Sequence, residues 1–280
     1  MLDRIVSWAE NNESIRGLIL TGSRANSHDK TDFLSDYDIA VFGTGFEYIS
    51  SDDWLINFEK HWICVHDRFT LVGFEIPTRL VIFNSTTKVD FSFHPMSVIE
   101  TIAHNKELPD GYKNGFKILL DKDSLLIKWV QPTGDGFLVS KPSQEEFDKN
   151  VNEFWFEIYH VAKYLTRNDL WAANFRDWAA KEALLVMMQW QQSAKCRWSL
   201  SPKPNGKDMK SWIDSKVLER LRPCFSTLEK GSMSNALEKT IQLYREISND
   251  TRLLLNFKNN TAPDSIVSGF LKSKLEAGNS

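Results

Sequence analysis

Residues 20–26 read LTGSRAN and residues 35–40 read SDYDIA, and the architecture of the N-terminal half follows from these two stretches. The first stretch ends the apolar run of residues 17–21 in Gly-Ser, a pattern typical of a buried strand that enters a tight turn. The second leads into residues 37–42, another apolar run, which predicts a second strand. The chain therefore begins with a strand, a glycine-serine turn and a second strand that carries acidic residues.

Two aspartates mark the second stretch. Asp36 and Asp38 are two residues apart on the predicted strand, so both point to the same face. Two like charges aimed at one point repel each other, and a cation between them removes the repulsion. Carboxylate oxygens are the ligands that Mg²⁺ prefers, and such sites complete their shell with substrate phosphates. Gly22 lets the backbone approach a phosphate and Ser23 can donate a hydrogen bond to it, so the pattern indicates a site for a metal and a phosphate.

A third aspartate follows later in the chain. Residues 79–83 (RLVIF) and residues 88–93 (KVDFSF) are β-rich runs separated by NSTT, which predicts a hairpin. Asp90 lies in the middle of the second run, where a carboxylate without a partner would be costly. If that strand neighbours the strand of Asp38, Asp90 joins the same cluster. The alternative, solvated acids in a turn, explains Asp36 and Asp38 but not the whole order of strand, turn, strand and mid-strand aspartate.

The chain changes character near residue 140. Prolines and glycines crowd the stretch between Pro132 and Pro142, which we interpret as a domain boundary. The formal net charge of the whole chain is −3, but residues 1–140 carry a net charge of −7 and residues 141–280 one of +4. We therefore predict two domains, one over residues 1–140 and one over residues 141–280.

Secondary-structure patterns also distinguish the two halves. The N-terminal half combines strands with helices, whereas apolar residues recur at helical spacing throughout the C-terminal half. Ser143 and Glu146 form a capping-box pattern at the start of the second half, and the polar tail from Asn259 predicts little order. The predicted helices cover residues 2–11, 52–60 and 96–105 in the first half and about 143–165, 170–195, 208–221 and 233–257 in the second.

Composition narrows the class of protein. The chain is 42% hydrophobic and 25% charged, which is ordinary for a globular protein and excludes a disordered one. A net charge near zero argues against a protein that wraps nucleic acid. The N-terminus predicts an amphipathic helix rather than a signal peptide, and no apolar run approaches the ~18 residues of a membrane span. Three widely spaced cysteines indicate no disulfide framework. We expect a cytoplasmic protein, monomeric or weakly dimeric, without nucleic-acid or membrane partners.

The motifs described above together resemble a known family. Residues 22–24 (Gly-Ser-Arg), residues 36–39 (Asp-Tyr-Asp-Ile) and Asp90 resemble the DNA polymerase β-like nucleotidyltransferase superfamily and, within it, the aminoglycoside (streptomycin) 6-adenylyltransferases. The resemblance covers about residues 1–257. The chain departs from the family at residues 202–207 (PKPNGK), which bears on the acceptor more than on the reaction. Further similar segments are residues 119–123 (LLDKD), 153–155 (EFW), 161–165 (VAKYL) and 181–185 (KEALL).

This resemblance implies a fold, a reaction and a set of site residues. The fold would be α+β, with an N-terminal nucleotidyltransferase domain, a mixed β-sheet flanked by helices, followed by an all-helical domain that binds substrate. The reaction would be Mg²⁺-dependent transfer of AMP from ATP to a hydroxyl of an aminoglycoside such as streptomycin, with release of pyrophosphate. The metal ligands and catalytic residues would be Asp36, Asp38 and Asp90. The residues that bind the nucleotide would be Gly22, Ser23, Arg24 and Lys163.

Acidic residues suit a cationic acceptor. Residues 31–59 contain seven acids and no Lys or Arg, and such a surface attracts a polycation, although a solvated acidic face explains it equally well. On the first helix of the second half, Glu153 and Glu157 share a face because they are four residues apart, and Trp155 adds an aromatic ring. We expect these three residues to bind the acceptor. The tryptophans expected in the core or at a domain interface, rather than on a substrate platform, are Trp171, Trp178, Trp190, Trp198 and Trp212.

Three other functions stay open at this point. The first is an enzyme of the same superfamily with a different antibiotic, small metabolite or protein as its acceptor. The second is a polymerase, which needs a strongly basic face and stacking aromatics and fits poorly with a pI near 6.1. The third is a non-catalytic member that binds nucleotide, which predicts a broken carboxylate set, whereas all three aspartates are present.

Overall fold

The chain forms two compact units, Met1–Phe137 and Leu138–Ser280. Part of the stretch that we interpreted as a boundary, residues 135–137, lies outside the described residues. Each unit has its own buried core. The computed structural model describes residues 1–26, 31–134, 138–259 and 261–275.

A six-stranded mixed sheet forms the centre of the first unit. The order of its strands is β3-β4-β5-β2-β1-β6, where the strands are β1 (Ile15–Thr21), β2 (Tyr37–Gly43), β3 (His61–Leu71), β4 (Phe74–Phe83), β5 (Lys88–Pro95) and β6 (Lys117–Asp121). Strands β2 and β5 are parallel, and all other neighbours are antiparallel. Asp38 and Asp90 therefore lie on adjacent strands in the middle of the sheet.

Helices cover both faces of this sheet. One face packs against α1 (Leu2–Glu10), and the other packs against α2 (Met96–Asn105) and α3 (Asp110–Lys113). Successive residues of a strand point to opposite faces, so in β2 Ile39 enters the core under α1 and Ala40 enters the core under α2 and α3. Asp38 points to the same side as Ala40, which puts the acidic cluster on the α2 and α3 face of the sheet.

Two details of the first unit differ from the sequence prediction. Residues 52–60 were predicted as a helix, but only a 3-10 turn over Asp53–Asn57 forms there. This one turn is enough to bury Trp54 and Leu55 in the core. Strand β3 was not predicted, since most of its residues are exposed. An edge strand that is exposed on both faces lacks the alternation of apolar and polar residues by which strands are recognised.

The second unit is built from helices. Ser143 accepts a hydrogen bond from the Glu146 backbone N–H and the Glu146 side chain bonds back, so the predicted capping box is confirmed. The prediction of little order beyond Asn259 is wrong, because the chain forms helix α8 there. Val267 of this helix is buried in the core of the unit, although the segment around it is mostly polar. The helices of this unit are α4 (Gln144–Thr166), α5 (Leu170–Lys195), α6 (Ser215–Leu221), α7 (Lys230–Leu255) and α8 (Ala262–Leu275).

The predicted α+β class is confirmed, with a mixed sheet and flanking helices in the first unit and helices in the second. Within the described ranges, no helix combines the length and the apolar character that crossing a lipid bilayer requires.

Candidate active site

The register of the sheet brings two of the predicted aspartates together. Asp38 on β2 and Asp90 on β5 are directly opposite each other in the parallel pair. Residues that pair in this way point to the same face, so their carboxylates lie side by side. Asp36, one residue before β2, follows the same alternation as Asp38. The neighbouring position that the sequence analysis required of Asp90 is therefore present.

The glycine-serine turn lies directly against Asp38. Strand β1 ends at Thr21, opposite Asp38 across the antiparallel pair, and a 3-10 turn over Gly22–Arg24 follows. Gly22 has a φ of +67°, and a Cβ added to it would lie 1.9 Å from Oδ2 of Asp38. Only glycine adopts this conformation without strain and leaves room for the carboxylate. The turn and the Asp38 carboxylate are therefore in direct contact.

Lys88 belongs to the same cluster as Asp36 and Asp90, and it was not predicted from the sequence. Its Nζ donates hydrogen bonds to Oδ2 of Asp36 and to Oδ2 of Asp90, both at 2.7 Å. Burial would lower the pKa of Lys88, but the hydrogen bonds to the two carboxylates outweigh burial and raise it. The signal in the sequence was its position two residues before Asp90, which puts both side chains on one face of β5.

One oxygen of this cluster is left over. Oδ1 of Asp90 is buried, and among the described residues it has no hydrogen-bond partner. Two carboxylates, those of Asp36 and Asp90, share one ammonium group, so among the described residues this pair retains negative charge. A buried carboxylate oxygen without a partner is unfavourable unless a cation or a donor approaches it. The residues present therefore fit a divalent cation with oxygen ligands.

A cavity of about 410 Å³ opens over the aspartates. This volume lies within the range of small-molecule sites, roughly 300–1,000 Å³. Asp67 of β3 contributes a further acid to its wall, and the sequence analysis did not single it out, because β3 itself was not predicted. The other polar and aromatic groups of the lining include Thr21, Asp38, Thr78, Asp90, Ser92 and Tyr112.

Arg24 has a different environment from the one predicted. Its guanidinium group donates to the main-chain carbonyls of Asp32, Ser35 and Asp36. It also lies 4.1 Å over the ring centre of Tyr37. These contacts hold the segment that leads into β2 and so orient Asp36. The nucleotide contact expected of Arg24 stays a prediction.

The remaining predicted site residues lie on α4 in the second unit. Glu157 pairs with Arg176 at 3.2 Å, and Glu153 is exposed with its Oε1 3.8 Å from the Nζ of Lys149. Lys163 places its Nζ 5.2 Å from the ring centre of Tyr164. None of these placements tests the binding roles that the resemblance implied.

Trp155 lies in the core of the helical unit and in the wall of a cavity of about 230 Å³, and its predicted role in acceptor binding stays a prediction. It is only 3% exposed and packs edge-on against Phe154. Its helical neighbours at i−4 and i+3, Val151 and Ile158, are buried as well, so all three lie on the core-facing side of α4. The sequence led us to expect that Trp155 binds the acceptor together with Glu153 and Glu157. Trp155 is two residues from each glutamate, however, and alternate residues of a helix do not share a face.

Aromatic side chains are exposed on α5 instead. Trp171, Phe175 and Trp178 recur at helical spacing and are 79%, 69% and 60% exposed. Trp190 and Trp212 pack against the helical core, as predicted. Trp171 and Trp178 therefore lie outside the core of the helical unit, one of the two places expected for them. We refer to Trp171, Phe175 and Trp178 as the aromatic stripe.

A second group of side chains that can bind metals lies around the start of β3. Asp52, Cys64 and His66 approach one another, and Oδ1 of Asp52 lies 2.9 Å from Nε2 of His66. The same oxygen lies 3.6 Å from Nε of the buried Arg79. Burial and the neighbouring Asp52 raise the pKa of Cys64 to about 12, so its thiol stays protonated. The cation beside Asp52, Arg79, is buried, whereas the cation that pairs with Asp90, Lys88, is about one-third exposed.

The chain was compared with known proteins. The family model described as streptomycin adenylyltransferase matches residues 1–274. The chain belongs to the streptomycin adenylyltransferase family. An aminoglycoside 6-adenylyltransferase of Bacillus subtilis (strain 168) is 31% identical over 254 residues, 89% of this chain and 87% of the relative. One of Campylobacter jejuni is 28% identical over 284 residues, 99% of this chain and 95% of the relative. The crystal structure of an aminoglycoside 6-adenyltransferase from Bacillus subtilis matches at 26% identity with a TM-score of 0.48, covering 98% and 97% of the two chains.

Membership of this family confirms the resemblance seen in the motifs. The chain is an enzyme of the nucleotidyltransferase class, and an adenylyltransferase requires a nucleotide as its co-substrate. The acidic cluster beside the Gly22 turn is the part of the described structure whose chemistry suits that class, because nucleotide phosphates are bound through a divalent cation on carboxylates.

Proposed function

We propose that the protein transfers AMP from ATP to a hydroxyl of an aminoglycoside such as streptomycin, with Mg²⁺ as cofactor, and releases pyrophosphate. The observation that carries the proposal is the pairing of Asp38 with Asp90 beside the Gly22 turn, with one buried oxygen of Asp90 lacking a partner among the described residues. The family and the named relatives support the same reaction.

Asp36, Asp38 and Asp90 are the residues that would hold the metal. When bound, Mg²⁺ neutralises charge on the triphosphate and lowers the pKa of an attacking hydroxyl. Asp90 also lies in the wall of the cavity, from which it can accept the proton of that hydroxyl. General-base assistance of this kind is worth about 10²–10⁴ in rate.

The Gly22 turn is the proposed cradle for the phosphates. Its positive φ and missing side chain permit close approach of the backbone, and the Ser23 hydroxyl is an available hydrogen-bond donor. Arg24 stabilises this turn through the hydrogen bonds that its guanidinium group donates to the backbone carbonyls of Ser35 and Asp36. Lys163 of the helical unit stays a candidate for phosphate contact on the strength of the resemblance.

Acidic and aromatic side chains of each unit are candidates for acceptor binding. Asp67 adds negative charge to the cavity that Asp38 and Asp90 line, and such a cavity attracts a cationic sugar. In the helical unit, the exposed Glu153 keeps its proposed role. The aromatic stripe is a further candidate platform beside Trp155, because exposed aromatic faces bind cations and sugar rings.

The test is to incubate the full-length protein with Mg²⁺, ATP and a panel of aminoglycosides, and to follow pyrophosphate release together with the mass of the antibiotic. The expected result is pyrophosphate release that depends on the acceptor and a product carrying one AMP group. Asp38→Asn should abolish this activity. Asp3→Asn is the matched control, because Asp3 lies on α1, which packs on the opposite face of the sheet.

Two results would lead to the other functions considered for this sequence. Pyrophosphate release with a different small molecule or a protein, but with no aminoglycoside, would move the proposal to another acceptor in the same superfamily. Binding of ATP without any turnover across the panel would indicate a non-catalytic member that binds nucleotide.

A further inference from the structure

Lys88 competes for the oxygens that a metal would use. Its ammonium group binds Oδ2 of Asp36 and Oδ2 of Asp90, each at 2.7 Å, a distance typical of a charge-assisted hydrogen bond. The same two carboxylates are the proposed metal ligands. A metal ion that takes either Oδ2 atom brings a second positive charge to an oxygen that already accepts a hydrogen bond from the ammonium group. The two cations repel each other, so metal binding favours release of the lysine.

The lysine is able to leave these oxygens without unfolding the sheet. Lys88 is the first residue of β5, and its side chain is 34% exposed, so its head group has solvent on one side. A lysine carries its charge on a flexible four-carbon stem, which allows the head group to move while the backbone stays paired. After release, the ammonium group remains near the carboxylates and close to any phosphate bound there.

The arrangement differs from an ordinary surface ion pair in two respects. A single cation bridges carboxylates that are 54 residues apart in the chain, on two adjacent structural segments. The second oxygen of Asp90 stays buried and, within the described part of the chain, without a hydrogen-bond partner. Lys88 thus compensates part of the negative charge and leaves the rest for a further cation.

We propose that Lys88 is a positioning residue, an internal counter-ion that occupies the metal-ligand oxygens in the nucleotide-free enzyme and yields them to the metal–nucleotide complex. This inference rests on the proposed metal-dependent function. When a divalent ion binds alone, the displaced ammonium group loses its carboxylate partners, which is unfavourable. When the metal binds together with a triphosphate, the phosphate oxygens can accept the hydrogen bonds of the ammonium group. Metal and nucleotide therefore bind cooperatively, and each raises the affinity for the other by the same factor.

The experiment measures Mn²⁺ binding to the full-length protein by electron paramagnetic resonance, with and without a non-hydrolysable ATP analogue. Lys88→Met should bind Mn²⁺ about ten-fold more tightly than the native protein without nucleotide, a change that corresponds to about 1.4 kcal/mol. The gain in Mn²⁺ affinity caused by the analogue should shrink by a similar factor. Lys88→Arg keeps the charge and should stay within about two- to three-fold of the native affinity.

Lys128→Met is the matched control. Lys128 is an exposed lysine of the same unit, located in the 3-10 turn after β6, and its substitution removes the same charge. It should leave Mn²⁺ affinity unchanged within about two-fold. A thermal shift gives a second readout. Without metal, Lys88→Met should melt below the native protein because Asp36 and Asp90 lose the cation that they share, and Mn²⁺ should raise its melting temperature more than that of the native protein.

The outcomes separate this inference from the function on which it rests. Equal or weaker Mn²⁺ binding by Lys88→Met, with the native protein still binding Mn²⁺ and transferring AMP, would overturn the role of Lys88 alone. An equal gain for Lys128→Met would overturn it too, because net charge rather than position would be the cause. No Mn²⁺ binding by any variant, with or without nucleotide, would overturn both the inference and the metal-dependent function.

Discussion

Lys88 in the first unit pairs with two aspartates and is about one-third exposed, whereas Lys181 in the second unit pairs with one aspartate, Asp177, among the described residues, and both members of that pair are buried. The second pair lies one turn apart on α5, and the ammonium group of Lys181 also lies 5.1 Å over the ring centre of Phe225. Both arrangements use the same two residue types. They differ in how many charges of each sign are present and in how far water can reach them.

That difference distinguishes a cluster that can bind a ligand from an ion pair that only stabilises the fold. Lys181 and Asp177 neutralise each other, so the pair offers nothing to a ligand and stabilises only as long as both partners remain. Among the described residues, Lys88 is shared by two carboxylates, and one buried oxygen of Asp90 has no hydrogen-bond partner. Excess charge held in place by a fold is unfavourable for stability and is therefore a sign of binding or catalysis.

The largest effect is expected at the unbalanced cluster. Asp38→Asn removes a proposed metal ligand without changing the size of the side chain, so kcat/KM for AMP transfer should fall by at least roughly 10³-fold, about 4 kcal/mol of transition-state stabilisation. The melting temperature should stay within a few degrees of the native value. The measurement is pyrophosphate release at saturating Mg²⁺ together with a thermal melt. Normal turnover by this variant would remove Asp38 from the site.

The balanced pair should respond in the opposite way. Lys181→Met leaves Asp177 buried without its partner and should lower the free energy of unfolding by about 3–5 kcal/mol, measured by urea denaturation. The double variant Asp177→Leu with Lys181→Met should recover most of this loss, because an apolar pair carries no desolvation penalty. A double variant as unstable as the single one would mean that packing, rather than charge, determines the loss.

His94 is a buried ionisable group that, among the described residues, contacts uncharged partners, so it extends the comparison between the two lysine clusters. His94 lies on the same strand as Asp90, contacts the Ser92 hydroxyl at 2.8 Å and stacks on Phe42, and burial lowers its pKa from 6.5 to about 3. Above pH 6.5 the histidine is neutral whether folded or unfolded. As the pH falls below 6.5, only the unfolded chain takes up the proton, so stability falls by up to about 1.4 kcal/mol per pH unit until pH 3 is approached.

His94→Gln should remove that contribution. Urea denaturation between pH 7 and pH 5 should show a shallower loss of stability with falling pH in the variant than in the native protein. The difference between the two slopes isolates His94 from other titrating groups. Parallel slopes would show that His94 takes up its proton equally in the folded and the unfolded state.

The smallest effect is expected at an exposed polar contact of the helical unit. Ser143→Ala removes the capping box of α4 and should lower the free energy of unfolding by about 1 kcal/mol. Ser143→Thr keeps a hydroxyl at the cap and should lose less. Pyrophosphate release should be unchanged in both, because Ser143 is not among the proposed site residues. A loss as large as that of Lys181→Met would erase the distinction between buried and exposed polar contacts.

Local features of the site could be predicted from the sequence. The pairing of Asp36 with Asp38 on one face follows from the two-residue period of a strand, and Gly22 follows from the need for close approach at a turn. The capping box at Ser143 is local for the same reason, since its partners are three residues apart. The family motif is likewise carried by short segments that sequence comparison reads directly.

Features that join distant segments could not be predicted in this way. The spacing of Trp155 from Val151 and Ile158 places its ring on the apolar face of α4, but only the tertiary structure shows that this helix packs against α5 and α7. Arg24 appeared free to bind phosphate, but the fold brings the carbonyls of the segment before Asp36 within its reach. Strand β3, and with it Asp67, was missed because an exposed edge strand has no periodic pattern.

By itself the sequence determined the chemistry of the site, namely carboxylates beside a glycine-serine turn, and the family to which the chain belongs. Only the tertiary structure decided that Asp38 and Asp90 lie side by side and that Lys88 bridges Asp36 and Asp90. The physical reason is that side-chain direction depends on the local period of the backbone. Strand partners and charge balance depend on which distant segments come together when the whole core is buried.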